Sequence, residues 1–283
     1  MLHQLEEVFF PETLAQALEK LNQYEGAAAP IAGGTDIVAD PPPGIRCLVN
    51  ITHLGLDYVQ EDETHIRIGA TTTMQRLATS PEVAALAGGI LSLSTCEGWP
   101  RPIRNAATIG GNLAGAGPFA DTPPAMLALG AEAVVVTSQG EKTVAMDDFF
   151  LDYRTTAVSR RGILKEVRIP RVAKSTRGIF LKLSRTQVDQ ALVNVGATIE
   201  LEDGCCRRAR IAVGAVSRVP CRLTEAEKKL EGRPLDGKTI EEIKKVVSDT
   251  VEPMVDFRAS ADYRRDMSAV LVGRALMALG RGA

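Results

Sequence analysis

The sequence predicts an α+β protein built from two domains. Its 283 residues are enough for one large domain or two ordinary ones. Two loops, each carrying a Gly-Gly pair, lie far apart in the first part of the chain. Beyond Pro170 strand patterns come first and helix patterns follow, an order typical of an α+β domain. We therefore expect one domain at residues 1–170 and a second at residues 171–283.

The composition argues against several classes of protein. A net charge of -2, with no long block of Lys or Arg, argues against nucleic-acid binding. No uninterrupted apolar run has membrane-spanning length, and no basic segment precedes an apolar one at the start, so we expect neither a membrane span nor a secretory signal. The five cysteines form no disulfide pattern, which favours a reducing cytoplasm. Because cysteines and histidines are ungrouped, we expect no zinc or iron–sulfur site in this chain.

The chain begins with a helix and then alternates strands and loops. Thr13 and Gln16 fit a capping box, and apolar residues from Leu14 to Leu21 recur on one face of the helix that follows. The next predicted elements are strands at residues 27–32, 46–51 and 65–70, a short helix at 74–78, and a helical pattern at 82–98 that Gly88 and Gly89 interrupt.

An extended segment, a helix and five strands follow. The segment 99–102 is expected to be extended, because a proline disfavours helix in the residue before it. Its Trp99 fits a cap on the core better than a wall beside a ligand. Asp121 at the N-cap, prolines in the first turn and Gly130 at the end predict a helix. The predicted strands are 134–136, 163–169, 180–185, 193–201 and 211–216.

Three more helices are predicted near the C-terminal end. Their start signals are the capping-box pairs Thr224 with Glu227 and Thr239 with Glu242, and a start near Ser260.

The stretch from Arg104 to Asp121 carries the strongest local signal for binding. Its central residues are Thr108, Ile109, Gly110, Gly111 and Asn112. Adjacent glycines let backbone N–H groups approach one point because no Cβ blocks them, and such concavities bind phosphate groups. The ordinary alternative is a turn-rich loop, and a lone glycine motif does not decide between the two.

An earlier stretch of the same pattern favours binding. It reads Ile31, Ala32, Gly33, Gly34, Thr35, Asp36 and Ile37, which is again an apolar residue, two glycines and a small polar residue. We interpret the two stretches as separate loops that hold the two phosphates of one pyrophosphate.

These two stretches resemble those of a known family, the FAD-binding subunits of molybdenum hydroxylases of the xanthine dehydrogenase and carbon monoxide dehydrogenase type. The family carries an Ala-Gly-Gly-Thr-Asp-like loop and a Thr-Ile-Gly-Gly-Asn loop, and the resemblance covers nearly the whole chain. It implies FAD as the cofactor. It also implies a two-lobed FAD-binding domain of the PCMH/vanillyl-alcohol-oxidase type, followed by a carbon monoxide dehydrogenase flavoprotein C-terminal-like domain.

The resemblance assigns FAD contacts to three residues outside the loops, each with an ordinary alternative. Asp121 matches an FAD-contacting aspartate of the family, although it also fits a helix N-cap, and one carboxylate can do both. Lys182 matches a flavin-contacting lysine, whereas a lone strand lysine is usually solvated. Leu164 matches a position on the adenine side of FAD and fits plain core equally well. The sequence departs from the family pattern at 98–100, so the lining of the adenine side stays open.

The resemblance therefore implies an FAD-dependent oxidoreductase subunit that works in a cytoplasmic hetero-oligomer. A substrate would be oxidised at the molybdenum cofactor of a large partner subunit. Electrons would pass through the [2Fe-2S] clusters of a small partner subunit to FAD, and then to an acceptor such as NAD or a quinone. No acid–base or nucleophilic pair is visible in the sequence, so we predict no catalytic residue in this chain.

Two alternatives stay open. One is a self-contained FAD-dependent reductase of the same fold type, such as the enolpyruvyl reductase of cell-wall synthesis. It would need a proton donor and a substrate site in its own second domain. The other is a non-enzymatic nucleotide-binding module, which a reducible bound flavin would exclude.

Overall fold

The computed structural model describes residues 2–281, which form three larger β-sheets and the helices packed against them. The strands are, in chain order, β1 (Glu7–Phe9), β2 (Ala28–Ile31), β3 (Cys47–Asn50), β4 (Val59–Glu61), β5 (His65–Gly69), β6 (Glu132–Thr137), β7 (Gly140–Ala145), β8 (Phe150–Asp152), β9 (Thr155–Thr156), β10 (Ile163–Pro170), β11 (Arg177–Leu183), β12 (Val193–Glu202), β13 (Cys205–Gly214) and β14 (Cys221–Arg222). The helices are α1 (Leu14–Gln23), α2 (Met74–Thr79), α3 (Pro81–Ala84), α4 (Ile90–Cys96), α5 (Arg101–Ala106), α6 (Ile109–Gly115), α7 (Thr122–Leu129), α8 (Thr224–Leu230), α9 (Gly237–Thr250) and α10 (Ala261–Gly280).

The first lobe is a small parallel sheet in the strand order β1-β3-β2, with α1 against it. Thr13 caps α1, and its Oγ1 accepts a hydrogen bond from the Gln16 N–H at 3.2 Å. Leu18 and Leu21 of this helix are buried in one core with Val49 of the central strand. The predicted first helix and its cap are therefore confirmed.

The second lobe is a five-stranded antiparallel sheet in the order β4-β5-β10-β6-β7. Its central strand carries Glu166, whose side chain is fully buried. Arg67 Nη2 lies 2.8 Å from one carboxylate oxygen, Arg168 Nε lies 2.7 Å from the other, and the Tyr58 hydroxyl donates a further hydrogen bond. The buried charge is thus neutralised and bonded across the sheet, as a buried carboxylate requires.

The third sheet is antiparallel in the order β11-β12-β13-β14, and its two faces contact different partners. Residues such as Val195 and Val213 lie in one core with the inner faces of α8, α9 and α10. The opposite face covers α7. Thr198 donates to the Ala128 carbonyl at 2.8 Å and Arg210 Nε donates to that of Leu127 at 2.9 Å. All residues of α7 are buried because the helix lies between the second lobe and this sheet.

The architecture confirms the predicted α+β class with a two-lobed first part. The helical pattern at 82–98 is interrupted as expected, since Ala87 and Gly88 adopt left-handed φ values of 44° and 69° between α3 and α4. None of the helices between residues 2 and 281 is both long and apolar enough to cross a membrane.

One predicted segment differs from the structure at its second half. Arg101 and Pro102 belong to α5 and are not extended. Pro102 lies at the second helical position, where the missing N–H leaves no intrahelical bond unmade. Pro100 is extended, with φ -61° and ψ 149°, and Trp99 packs partly buried against the core.

Both capping-box pairs near the C-terminal end are wrong as caps, although the helices exist. At α8 no side chain caps the helix, and the Glu227 carboxylate accepts instead from the N–H of Ile211 at 2.7 Å and from Arg222. At α9 the cap is Asp236, whose carboxylate accepts from the Thr239 N–H at 2.8 Å. At α8 the buried N–H of Ile211 occupies the Glu227 carboxylate, and at α9 the stronger cap Asp236 lies just before Thr239. A local sequence pattern shows neither of these competing contacts.

Candidate cofactor site

The first glycine loop follows β2 and presents a run of free backbone N–H groups. Between Gly33 and Ile37, none of these groups has an acceptor among residues 2–281. The loop then closes one helical turn, in which the N–H of Val38 donates to the Gly34 carbonyl at 3.1 Å. Gly34 has φ +71°, a left-handed value that glycine adopts without a Cβ penalty. Free N–H groups at the start of a helical turn form a site for an anionic group.

The two glycine stretches lie side by side, although they are distant in sequence. A Cβ built on Gly33 would lie 1.8 Å from the carbonyl oxygen of Ala106, near the start of the second stretch. A Cβ on Gly115 would lie 3.1 Å from the Asp36 carboxylate, so the first loop also approaches the end of α6. Only glycine permits the closest of these approaches.

The second stretch uses its backbone N–H groups inside the fold. Those of Ile109 and Gly110 donate to the carbonyls of Thr72 and Ala70 at 3.0 and 2.9 Å. A Cβ on Gly110 would lie 2.6 Å from both the Cβ and the carbonyl oxygen of Ala70. This glycine is therefore required by packing, whether or not a phosphate lies nearby.

The other residues of this stretch also have partners within the chain. Thr108 caps α6, and its Oγ1 accepts from the N–H of Gly111 at 3.1 Å. The N–H of Asn112 donates to the Thr108 carbonyl at 3.0 Å, and Asn112 Oδ1 accepts from the Thr122 hydroxyl at 2.5 Å. The assignment of these residues to the cofactor stays a prediction. The four N–H groups from Ile109 to Asn112 already have acceptors within the chain, so they support it less than the free N–H groups of the first loop do.

Asp121 and Lys182 meet in a buried ion pair. Lys182 Nζ lies 3.0 Å from Asp121 Oδ2, and each side chain is only 3% exposed. Lys182 is therefore not a solvated lysine. Asp121 lies at the N-cap position of α7, but its side chain makes no capping bond, so the cap explanation is wrong for the carboxylate. Burial raises the pKa of the Asp121 carboxyl, against the lowering effect of Lys182 and Asn194.

Asn194 is a site residue that the sequence reasoning missed. It is fully buried, and its Nδ2 donates to Asp121 Oδ1 at 2.6 Å and to the Ala120 carbonyl at 3.0 Å. Asn194 is the cross-strand neighbour of Lys182 on the adjacent strand. The available signal was a polar residue between the buried Val193 and Val195 of a predicted strand.

Arg154, in the turn between β8 and β9, is a second residue that sequence reasoning missed. Its Nη2 lies 3.0 Å from the Asp40 carboxylate and 3.6 Å from that of Asp36. These contacts link the hairpin to the turn at residues 36–40, and because the carboxylates are exposed they add little to stability. No local pattern indicates them, because the arginine comes from a hairpin far along the chain.

Leu164 is buried in β10, where it is 4% exposed and pairs with Val135. It belongs to the same core as Ile109 and Leu113 of α6. Its position fits plain core, and its contact with the adenine side of FAD stays a prediction.

The chain's residues fit a dinucleotide cofactor by two independent observations. The free N–H run of the first loop suits a pyrophosphate, and a Cβ would fill the space that Gly33 leaves beside Ala106. The buried Asp121–Lys182 pair brings an ammonium group against the carboxylate that ends the second stretch.

Two family models match the chain in sequence. One, described as the FAD binding domain in molybdopterin dehydrogenase, matches residues 4–172. The other, the CO dehydrogenase flavoprotein C-terminal domain, matches residues 179–279.

Individual relatives match over almost their whole length. The nicotinate dehydrogenase FAD-subunit of Eubacterium barkeri is 31% identical over 272 residues, covering 92% of this chain and 91% of the relative. The carbon monoxide dehydrogenase medium chain of Afipia carboxidovorans is 30% identical over 270 residues, covering 94% and 93%.

Solved structures of similar proteins share the fold over the whole chain. A chain of carbon monoxide dehydrogenase from Hydrogenophaga pseudoflava, in a form that lacks the Mo-pyranopterin moiety of the molybdenum cofactor, superposes with a TM-score of 0.95 at 28% identity, covering 99% of this chain and 98% of that one. A chain of quinoline 2-oxidoreductase from Pseudomonas putida 86 gives 0.90 at 27% identity, with the same coverage.

Proposed function

This chain belongs to the FAD-binding medium subunits of the molybdenum hydroxylase family, and on that premise we propose that it holds FAD on an electron path between two other proteins. The path runs from the iron–sulfur clusters of a partner subunit to an acceptor such as NAD or a quinone. The chain is an FAD-dependent oxidoreductase subunit. FAD, when bound, supplies a carrier that takes up and releases electrons, and the protein supplies its binding, orientation and electrostatic surroundings.

The observation that carries the proposal is the free N–H run from Gly33 to Ile37, held against Ala106. We assign this loop to the pyrophosphate, because its N–H groups have no competing acceptor within residues 2–281. The side-chain hydroxyl of Thr35 is exposed on the same loop and adds a donor.

The remaining cofactor contacts are assigned with different kinds of support. Asp121 and Lys182 would face the flavin, a role supported by the family resemblance, and the structure pairs the two side chains with each other. Thr108 to Asn112 and Leu164 would complete the cofactor's surroundings, a role supported by the family resemblance. We also place the boundary between the two domains near residue 170, where the last strand of the second lobe ends.

The proposed partners are a large subunit with the molybdenum cofactor and a small subunit with [2Fe-2S] clusters. Three of the similar proteins are named medium chains, which implies companion chains in those enzymes. The five free cysteines suit a cytoplasmic location for the assembly.

Purification from the native source, followed by mass spectrometry of the co-eluting chains, tests this proposal. We expect two further chains at constant stoichiometry, one with molybdenum and one with iron and labile sulfide. A chain that purifies with bound FAD but without any partner, and that turns over an organic substrate, would contradict the proposal and favour a self-contained flavoenzyme.

A further inference from the structure

The Asp121–Lys182 pair is held on one side by a row of residues across the third sheet. Lys182, Asn194 and Gly214 are cross-strand neighbours on β11, β12 and β13. Asn194 Nδ2 bonds Asp121 Oδ1, while Lys182 Nζ bonds Oδ2, so each carboxylate oxygen has its own donor. A Cβ on Gly214 would lie 2.3 Å from Asn194 Oδ1. The absence of a side chain at Gly214 therefore leaves space for the Asn194 amide.

The Asn194 amide is placed at an energetic cost. Its Oδ1 is buried and has no hydrogen-bond partner among residues 2–281. A buried acceptor without a partner destabilises a fold, and native proteins contain few of them. The opposite orientation would turn the amide oxygen toward two other acceptors, Asp121 Oδ1 and the Ala120 carbonyl, so the two bonds made by Nδ2 set the orientation.

The pair is closed on its other side by the turn after α4. A Cβ on Gly98 would lie 2.6 Å from Asp121 Oδ2, so any larger residue displaces the carboxylate. The preceding carbonyl, of Glu97, accepts from Lys182 Nζ at 3.3 Å. The turn therefore holds Lys182 with a hydrogen bond. Because Gly98 has no side chain, the turn also leaves space for the Asp121 carboxylate beside it.

We propose that Asn194 and Gly98 are positioning residues of the cofactor site, which fix the Asp121 carboxylate and, through it, the Lys182 ammonium. The inference rests on the proposed flavin contacts of Asp121 and Lys182. A charge near the flavin ring tunes its reduction potential, and the net charge there depends on how closely the carboxylate compensates the ammonium. A lysine has a long flexible side chain, so its position is defined only if its partner is fixed.

The test measures the midpoint potential of FAD bound to the purified protein, by anaerobic titration with reference dyes. We expect Asn194→Ala and Gly98→Ala each to shift the potential upward, because a loosened carboxylate compensates the ammonium less well. The double variant Asp121→Asn with Asn194→Ala should give the same potential as Asp121→Asn alone, since Asn194 acts through Asp121.

Two matched controls separate positioning from general damage. Thr198→Val removes another buried hydrogen bond from the same face of β12, at the far end of α7. Gly237→Ala adds a Cβ at the start of α9, outside both glycine stretches, where no atom lies within 4 Å. Both should leave the potential unchanged.

Unchanged potentials in Gly98→Ala and Asn194→Ala, with FAD bound, would overturn the inference, and so would additive shifts in the double variant. If Asn194→Ala does not fold, Gly98→Ala alone decides by the same criterion, since it removes no charge and no hydrogen-bonding group. FAD binding by the wild-type protein is measured first. A wild-type protein that binds no FAD would contradict the proposed function and not this inference.

Discussion

Gly33 and Ala106 lie in van der Waals contact across the two glycine stretches, so closely that a Cβ on Gly33 would be 1.8 Å from the Ala106 carbonyl oxygen. Gly33 does not have a left-handed φ, so its requirement is steric. The contact joins the loop with free N–H groups to the start of the second stretch.

Gly33→Ala should therefore separate the two stretches and weaken FAD binding while the chain stays folded, because the loop lies at the surface. We expect the dissociation constant for FAD to rise by at least about tenfold, which corresponds to about 1.4 kcal/mol. Quenching of flavin fluorescence on titration measures it. Gly237→Ala, with open space around the new Cβ at the start of α9, is the control and should bind like wild type.

Gly34→Val and Gly110→Val should have different effects, although the two residues look equivalent in the sequence. Valine at Gly34 must adopt φ +71°, which costs about 1 to 3 kcal/mol and distorts the free N–H run, so FAD is lost from a folded chain. Valine at Gly110 meets the Ala70 backbone, so the chain itself should lose stability.

Thermal unfolding followed by circular dichroism, together with flavin absorbance, separates the two effects. We expect a clearly larger fall in Tm for Gly110→Val than for Gly34→Val. Equal Tm values with equal loss of flavin would mean that Gly110 serves the cofactor and not the packing.

The Glu166 cluster should make stability depend on acid pH. Burial acts to raise the pKa of Glu166, but the hydrogen bonds from Arg67, Tyr58 and Arg168 outweigh it and leave the pKa below its ordinary value. The stabilisation is then complete above the unfolded pKa, near 4.5, and is lost as the pH falls through the lower folded pKa.

Glu166→Gln removes this titration, so the free energy of unfolding should fall less steeply below about pH 4.5 than in wild type. Urea unfolding at pH 7, pH 4 and pH 3 measures the difference. At pH 7 the variant should also be less stable by about 1.5 to 3 kcal/mol, because Arg67 and Arg168, each about a third exposed, lose their hydrogen bonds to a buried anion. An identical pH slope in both proteins would contradict the role given to Glu166.

Local patterns predicted what depends on neighbours in sequence. The cap at Thr13, the break at Gly88 and the helix end at Gly130 all follow from residues within a few positions. The pairing of the two glycine stretches was inferred only because both carry the same pattern.

Contacts between distant segments could not be predicted in this way. The carboxylate of Asp121 looked like a cap because its true partners, Lys182 and Asn194, lie 61 and 73 positions further along the chain. The packing of Gly110 against the Ala70 backbone could not be predicted either, because Ala70 is absent from its local sequence. A sequence motif indicates that glycine is needed at a position, but it does not indicate which neighbouring group requires it.

The most direct test of the central claim follows the flavin absorbance of the purified, FAD-loaded chain under anaerobic conditions. Xanthine, aldehydes, carbon monoxide and aromatic heterocycles are added to the chain alone, and then to the chain with its large and small partner subunits. We predict that the absorbance stays that of the oxidised form with every substrate for the lone chain, and is bleached by one substrate when both partners are present. Bleaching of the lone chain by any of these substrates would contradict the account and identify a self-contained flavoenzyme.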